Sequence, residues 1–330
     1  MKKNVLSIIL TFILIFSFCF FVGCNSNKND DNKKGQPAYD QSHAFGIGET
    51  LLYDNPTEED IEKRVMLMKD VGAKSIRFWF RNGRRENNAD AESFIRIENN
   101  QLVINEKYKN KVKYSIQKLI ENGIDKIIFD VYYMYGKTSN GEYIYYETNF
   151  PEIGSADYIL YMQSIEEQFK TIAETFPEIT YFEMGNEMNG EFTKLNNDTK
   201  FSNADKATLV LDFSYHALKG IKAGNPNAKG VLNGLAECTF EYRENNQKYI
   251  LRSGSHSYIA SFLNLLYSNI ESGKFPTVGE KTTKIEDFFE VLAWHLYSAD
   301  TLDKWIQYNN FIYDIRLKHL TISKNRCISL

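Results

Sequence analysis

Basic residues are not in excess in this chain. Its 39 Lys and Arg stand against 43 Asp and Glu, a formal net charge of -4. A nucleic-acid partner usually shows as a basic patch or a high pI, and neither is present. Cysteine is scarce: four residues, with no C-x-x-C pair, so a Cys-type zinc or redox motif has no support. No cluster of ligating side chains implies a metal, and none implies a cofactor. The phosphate-binding pattern G-x-G-x-x-G is missing as well, because Gly46-Ile47-Gly48 is followed by no third glycine. Only three Trp accompany 21 Tyr and 23 Phe. Such rings can stack on sugar faces but fill cores more often. No internal repeat is visible beyond an alternation of strands and helices.

What is there begins with an address. Lys2 and Lys3 precede an apolar run from Val5 to Val22, the charged and apolar regions of a secretory signal. The run ends in Val22-Gly23-Cys24, which resembles the lipobox of bacterial lipoproteins, in which the cysteine is lipidated. The expectation is a signal peptide over 1–23, lipid on Cys24, and a polar tether over 24–42 too poor in apolar residues to fold. An uncleaved membrane anchor is the other reading, since a spanning helix needs about 20 residues. Both put the rest of the chain on the outer face of the cell membrane. Cys19 leaves with the signal, so Cys238 and Cys327 remain, and a disulfide between them has nothing specific behind it.

From residue 43 to 330 one domain is expected, in which short apolar runs alternate with longer amphipathic stretches. Strands are predicted at His43–Glu49, Ser75–Phe80, Lys126–Met134, Ile179–Glu187, Lys229–Ala236 and Phe289–Tyr297, all rich in strand-forming residues. Helices are predicted at Thr57–Val71, Glu106–Asn122, Ala156–Phe176, Asn203–Ala223, His256–Ser272 and Thr301–Lys318. In the first, Ile61, Val65, Met68 and Val71 recur at helical spacing. Gly72 and Gly123 stand where helices should stop. Residues 141–146 and 242–251 look like short hairpins inserted at the rim. Six strand–helix units imply a parallel α/β sheet. A closed barrel is favoured over an open sheet because polar residues gather at the C-terminal ends of the strands, where barrel sites sit.

The densest of these ends is Ile179-Thr-Tyr-Phe-Glu-Met-Gly-Asn-Glu187. Strand alternation puts Tyr181, Glu183, Gly185 and Glu187 on one face. Burying such carboxylates without partners is costly. This ordered pattern resembles clan A of the retaining glycoside hydrolases, (β/α)8 TIM-barrel enzymes whose fourth strand ends in Asn-Glu. The resemblance implies that Glu187 is the acid/base and that Asn186 bonds the sugar. It further matches Arg77 on strand two, His295 and Tyr297 on strand six, and Asp130 and Tyr132 on strand three, where Tyr132 replaces a histidine. Trp79 joins them as a substrate-binding candidate. Plainer readings stand beside these: Arg77 paired with Glu183 inside the barrel, His295 packed in the core, and Trp79 and Trp294 as core aromatics.

Retaining hydrolysis needs two carboxyl groups about 5–5.5 Å apart, one donating a proton and one attacking the sugar. The family's nucleophile ends strand seven, and no Asp or Glu follows Asp314 in this sequence. Only about six units of the barrel are expected, with Leu320–Ser323 as at most a short strand. The expectation is a reading frame cut near residue 318, and hence an inactive or weakly active product. Glu237 and Asp300 are the remaining carboxylates that could stand in. Three functions compete: a retaining glycosidase on an extracellular β-linked glycan, a non-catalytic carbohydrate-binding lipoprotein, and a solute-binding lipoprotein, which would need a two-lobed duplication not visible here. Oligo- or polysaccharide is the expected partner, with the membrane reached through the lipid.

Overall fold

The computed structural model describes residues 46–49, 51–52, 55–83, 92–146, 149–190, 193–195, 201–236, 240–244, 247–251, 256–273, 282–295 and 301–322. The signal and tether, Cys24, Glu237, Cys238, Tyr297, Asp300 and Cys327 lie outside these. No helix among the described residues is long and apolar enough to cross a membrane.

The elements run in this order: β1 (Gly46–Glu49), α1 (Glu58–Asp70), β2 (Ser75–Arg81), β3 (Ile95–Glu98), β4 (Gln101–Ile104), α2 (Glu106–Glu121), β5 (Lys126–Tyr132), β6 (Met134–Lys137), β7 (Tyr143–Tyr146), β8 (Asn149–Phe150), α3 (Ala156–Thr175), β9 (Tyr181–Asn186), β10 (Lys194–Leu195), α4 (Asn203–Gly224), β11 (Lys229–Ala236), β12 (Phe240–Glu244), β13 (Gln247–Leu251), α5 (His256–Ser272), β14 (Trp294–His295) and α6 (Leu302–Ile322). The main sheet has the order β1-β2-β5-β9-β11-β14, and every neighbouring pair is parallel. Each strand therefore pairs with the next main strand in the chain. Parallel crossovers are right-handed, so an order that never reverses puts all helices on one face. An open doubly wound sheet needs a reversal. The observed order is that of a barrel, here six strands of one.

Helix starts follow local chemistry. Thr57 and Ser202 each form a capping box, with Asp60 and Asp205 as the reciprocal acids. Asn105 and Ser155 cap α2 and α3. The stops fall where expected, since Gly72 and Gly123 have φ of 81° and 76°, conformations that glycine adopts without cost.

The outward face of the sheet carries the apolar load. Ile76, Phe78, Phe80, Ile127, Phe129, Val131, Phe182 and Met184 are all buried there. Phe80 stacks on Phe129 at 4.7 Å, and Phe94 and Phe176 close over them at 5.4–5.5 Å. Helices α3 and α4 approach so closely that a Cβ on Gly220 would lie 2.2 Å from the Glu166 carbonyl oxygen. Backbone cannot yield as a side chain does. Gly220→Ala is therefore expected to lower stability by about 1–3 kcal/mol, the usual cost of overpacking. The reading is a lower urea midpoint at unchanged slope; an unmoved midpoint would mean the two helices slide apart freely.

Several boundaries differ from the sequence reading, among them the fourth main strand, which spans Tyr181–Asn186 rather than Ile179–Glu187. The third main strand ends at Tyr132 rather than Met134, because Tyr133 takes a φ of 65° and the chain restarts as the β6–β7 hairpin. The sixth main strand starts at Trp294 rather than Phe289, preceded by an isolated bridge from Val231 to Val291. The last helix continues to Ile322, so Leu320–Ile322 is helical and not strand. A hairpin unread in the sequence, β3–β4, turns on Asn99 and Asn100, whose φ values are 50° and 57°. Every hairpin follows a main strand and precedes its helix, so all of them decorate the C-terminal rim.

Candidate active site

Arg77 organises the inner face of the sheet. Along β2, Ile76, Phe78 and Phe80 point outward, which turns Arg77 and Trp79 inward. Arg77 is only 4% exposed. Its Nε donates to Glu183 Oε2 at 2.6 Å, and its Nη2 donates to Glu183 Oε1 at 3.0 Å and to Asn186 Oδ1 at 2.7 Å. The same Nη2 lies 2.9 Å from Asp130 Oδ2. The planar fork of arginine suits this two-pronged grip on a carboxylate. The plainer sequence reading, an Arg77–Glu183 pair, describes the geometry, with Asn186 and Asp130 added to it.

Strand alternation would have sent Asn186 to the outer face. It faces Arg77 instead, because Gly185 takes a φ of 85° and breaks the period just before the strand ends. Glu187 follows with a φ of 51°, an uncommon conformation for a side-chain-bearing residue. Two left-handed residues, Gly185 and Glu187, flank Asn186 and aim Asn186 and Glu187 at the same mouth. The loop is held from below. Glu187 N–H donates to the Gly234 carbonyl at 3.2 Å and Met188 N–H to Asn233 Oδ1 at 3.2 Å. Asn189 grips both sides of Ala236: its Oδ1 accepts from the N–H at 2.9 Å, and its Nδ2 donates to the carbonyl at 3.0 Å. Lys206 Nζ caps the Gly190 carbonyl at 2.6 Å.

His295, on β14, meets Glu187 with Nδ1 2.6 Å from Oε1, and its Nε2 lies 3.9 Å from Glu183 Oε1. The first contact survives proton movement: an ionised Glu187 accepts from Nδ1–H, and a protonated one donates to Nδ1. Gly234 makes the arrangement fit. A Cβ there would lie 2.2 Å from His295 Nε2 and 2.8 Å from Glu183 Oε1, while its N–H donates to that same oxygen at 2.8 Å.

Asp130 is 1% exposed. Burial pushes its carboxyl up to about 8, against the pull of Arg77 and with the help of Glu183. One guanidinium faces two buried carboxylates, so a proton on one of them relieves the excess charge. Asp130 Oδ1 has no hydrogen-bond partner among the described residues. Above it, at the mouth, Tyr132 is held well above the usual phenol range by burial. Trp79 is 37% exposed and meets Tyr132 edge-on at 6.1 Å. Trp294 instead donates from Nε1 to Asn309 at 2.8 Å and packs against the core.

The structure thus gathers Arg77, Asp130, Asn186, Glu187 and His295, with Trp79 and Tyr132 at the rim above them; Tyr297 lies outside the described residues. Sequence reasoning missed Gly234, Asn189 and Asn233. Asn189 was within sight, two residues after Glu187, but its partner Ala236 lies on the next strand. Among the described residues no group of three or more His, Cys, Asp or Glu could hold a metal ion. A separate cleft of about 1030 Å³ opens on the helical side, lined in part by Lys219, Lys222 and Asp287. Lys219 pairs with Glu166 and Lys222 with Glu290, and none of Arg77, Asp130, Glu183 and Glu187 lines it.

No protein-family model and no curated protein sequence matches this chain. Its fold is similar to those of solved glycoside hydrolases. GH5_18 from Streptomyces cattleya in complex with GlcNAc shares 12% identity over 55% of this chain, at a TM-score of 0.36. The chain spans about 40% of that protein's length. An endo-1,4-beta-mannanase from Rhizomucor miehei shares 14% identity over 91% of this chain and 99% of its own, with a TM-score of 0.42. The family 1 beta-glucosidase from Thermotoga maritima shares 11% over 84% of this chain and 63% of its own, with a TM-score of 0.41.

Proposed function

We propose that this chain is a carbohydrate-active protein of the retaining glycosidase kind, with Glu187 as the proton donor to the leaving oxygen. One observation carries the reading. A glutamate at the C-terminal rim is turned inward by an unfavourable φ and seated 2.6 Å from a buried histidine. Backbone strain of this sort persists where the surroundings over-determine it, and it gathers at functional sites. Asn186 beside it offers an amide to a sugar hydroxyl, with Arg77 fixing which way that amide faces. His295 positions Glu187 in both of its protonation states, as an acid that must later act as a base requires. Asp130 and Tyr132 shape the floor and rim, Trp79 offers a ring to the sugar, and Tyr297 joins them by family resemblance. The substrate is a β-linked glycan met outside the cell membrane, where a lipid on Cys24 would hold the chain.

A second reading, a non-catalytic carbohydrate binder, is favoured by a different observation. Among the described residues, Glu183 and Asp130 are the carboxylates beside Glu187, and both are tied to Arg77. A carboxylate held in a bidentate fork is a poor nucleophile. Glu187→Gln separates the two readings. In an enzyme, aryl β-glycoside hydrolysis falls about 100-fold or more, the usual worth of a positioned acid, while oligosaccharide affinity changes little. If the unaltered protein binds β-linked oligosaccharides but releases no phenol, the binder is the right description. If it neither binds nor cleaves them, the carbohydrate reading is wrong.

A further inference from the structure

Two neighbouring strands change face at the same level. On β9, Met184 is buried on the outer side, while Asn186 meets Arg77 on the inner side. On β11, Leu232 pairs with Met184 and Gly234 with Asn186. Leu232 is buried with Met184, whereas a Cβ on Gly234 would lie 2.8 Å from Glu183 Oε1 on the inner side. Strict alternation would keep Met184 and Asn186 on one face, and likewise Leu232 and Gly234. β9 makes the change at Gly185, through its φ of 85°. β11 makes it at Asn233, and the register with β14 shows how. Val231 bridges Val291, but Leu235 pairs with Trp294, so β11 carries one extra residue between the two pairings. That is a β-bulge, a device that re-aims side chains next to functional sites.

The bulge holds the strained residue. Glu187 has a φ of 51°, and the peptide groups on both sides of its Cα are anchored on β11. Its own N–H donates to the Gly234 carbonyl at 3.2 Å, and the next N–H, of Met188, donates to Asn233 Oδ1 at 3.2 Å. Two such anchors fix both backbone dihedrals of Glu187. With them they fix the direction of its carboxyl, whose Oε1 lies 2.6 Å from His295 Nδ1. Gly234 contributes backbone alone to this grip; Asn233 contributes a side chain. Asn233 is fully buried, and its Nδ2 has no hydrogen-bond partner among the described residues. A buried donor left unmet is costly, and an apolar side chain of similar size would avoid that cost. What the amide supplies at this position is its oxygen.

We propose that Asn233 is a positioning residue for proton donation: by holding the Met188 N–H it keeps Glu187 left-handed and its carboxyl against His295. The inference rests on the glycosidase reading and adds to it a residue that acts through Glu187 rather than on the sugar. Without the acceptor, the Glu187–Met188 peptide is released to rotate. Glu187 then relaxes toward a negative φ, and its carboxyl swings off the leaving oxygen. A misplacement of about 1 Å at a reacting group can cost about 100-fold in rate.

The test uses the full chain, with the leaving group as the gauge. Phenolate is a poor leaving group and needs the proton, whereas 2,4-dinitrophenolate departs without it. kcat/KM is measured for phenyl and 2,4-dinitrophenyl β-glycosides of the sugar that the parent accepts. Asn233→Leu keeps the volume and removes the acceptor. It is expected to lower kcat/KM for the phenyl glycoside about 10- to 100-fold, and that for the dinitrophenyl glycoside by less than about threefold. Asn233→Asp, which keeps an acceptor oxygen, should recover most of the loss. Asn233→Ala takes the place of the leucine variant if a urea melt shows that leucine does not fold. Equal losses on the two substrates mean a merely structural role and overturn the proposal, and so does an unchanged phenyl rate. If the parent releases neither phenol, the glycosidase reading itself fails, and the role of Asn233 falls with it.

Discussion

Arg77→Met is expected to remove about 3–5 kcal/mol of stability, the range for breaking a buried ion pair by deleting one partner. The substitution keeps much of the side-chain volume, so the loss is electrostatic rather than a cavity. Glu183 and Asp130 would be left facing each other in a site from which water is excluded. The Gly234 N–H would remain on Glu183 Oε1, but one neutral donor does not replace a bidentate guanidinium. Against a typical stability of about 5–15 kcal/mol, such a loss brings the protein close to unfolding at room temperature. Arg77→Lys should fall between, since an ammonium keeps the charge and loses the fork. The decisive comparison is Arg77→Met alone against Arg77→Met with Glu183→Gln and Asp130→Asn. Urea melts should show the triple variant regaining part of the loss, because no buried carboxylate is left without its guanidinium. If the three changes simply add, the cluster is not electrostatically coupled.

The second large effect is a dependence on pH. Asp130 has an ordinary value of 3.8 and is raised to about 8 by burial in the fold. Between those values the folded protein keeps a proton that the unfolded chain releases. A raised folded value means that its stabilising contribution is fully present below about pH 4. That contribution is lost as pH rises through about 8. For one fully linked proton the loss is at most about 1.4 kcal/mol per pH unit. Asp130→Asn cannot titrate, so its melting temperature should decline less steeply from pH 4 to 8 than that of the parent. The two curves should also converge toward the acid end. Parallel curves would mean that Asp130 is ionised throughout, held so by Arg77 after all.

Much of the scaffold was legible because its signals are local. Helix periodicity, capping residues such as Thr57 and Ser202, and stop glycines such as Gly72 act within a few residues. The six main strands were also visible, as apolar runs between those helices. The β3–β4 hairpin was missed even though its signal was there: Asn99-Asn100 suits a turn that needs positive φ at both central residues. Glu187 was named from its strand end, and Arg77 and His295 from their place in the order of strands. The break at Gly185 was not visible, because a glycine in a strand does not announce which φ it will take. Asp130 was placed from the order of strands, but its ion pair with Arg77 was not visible. That is settled by lateral register between strands, which no single run of sequence contains.

The distances along the chain across the buried cluster carry a consequence for how the protein assembles. Arg77 reaches Glu183 over 106 residues and Asn186 over 109, and His295 reaches Glu187 over 108. Each charge stays hydrated until strands far apart in sequence have docked, so the cluster forms late. Contacts of such long range slow folding, because loops must close before they are rewarded. The outer aromatic layer can gather earlier, from neighbours such as Phe80 and Phe94 that lie close in the chain. Dehydration of Arg77 together with its carboxylates is then expected to come late on the way to the native state. Folding from the acid side, where one carboxyl already carries its proton, should pass that step faster than folding from the alkaline side.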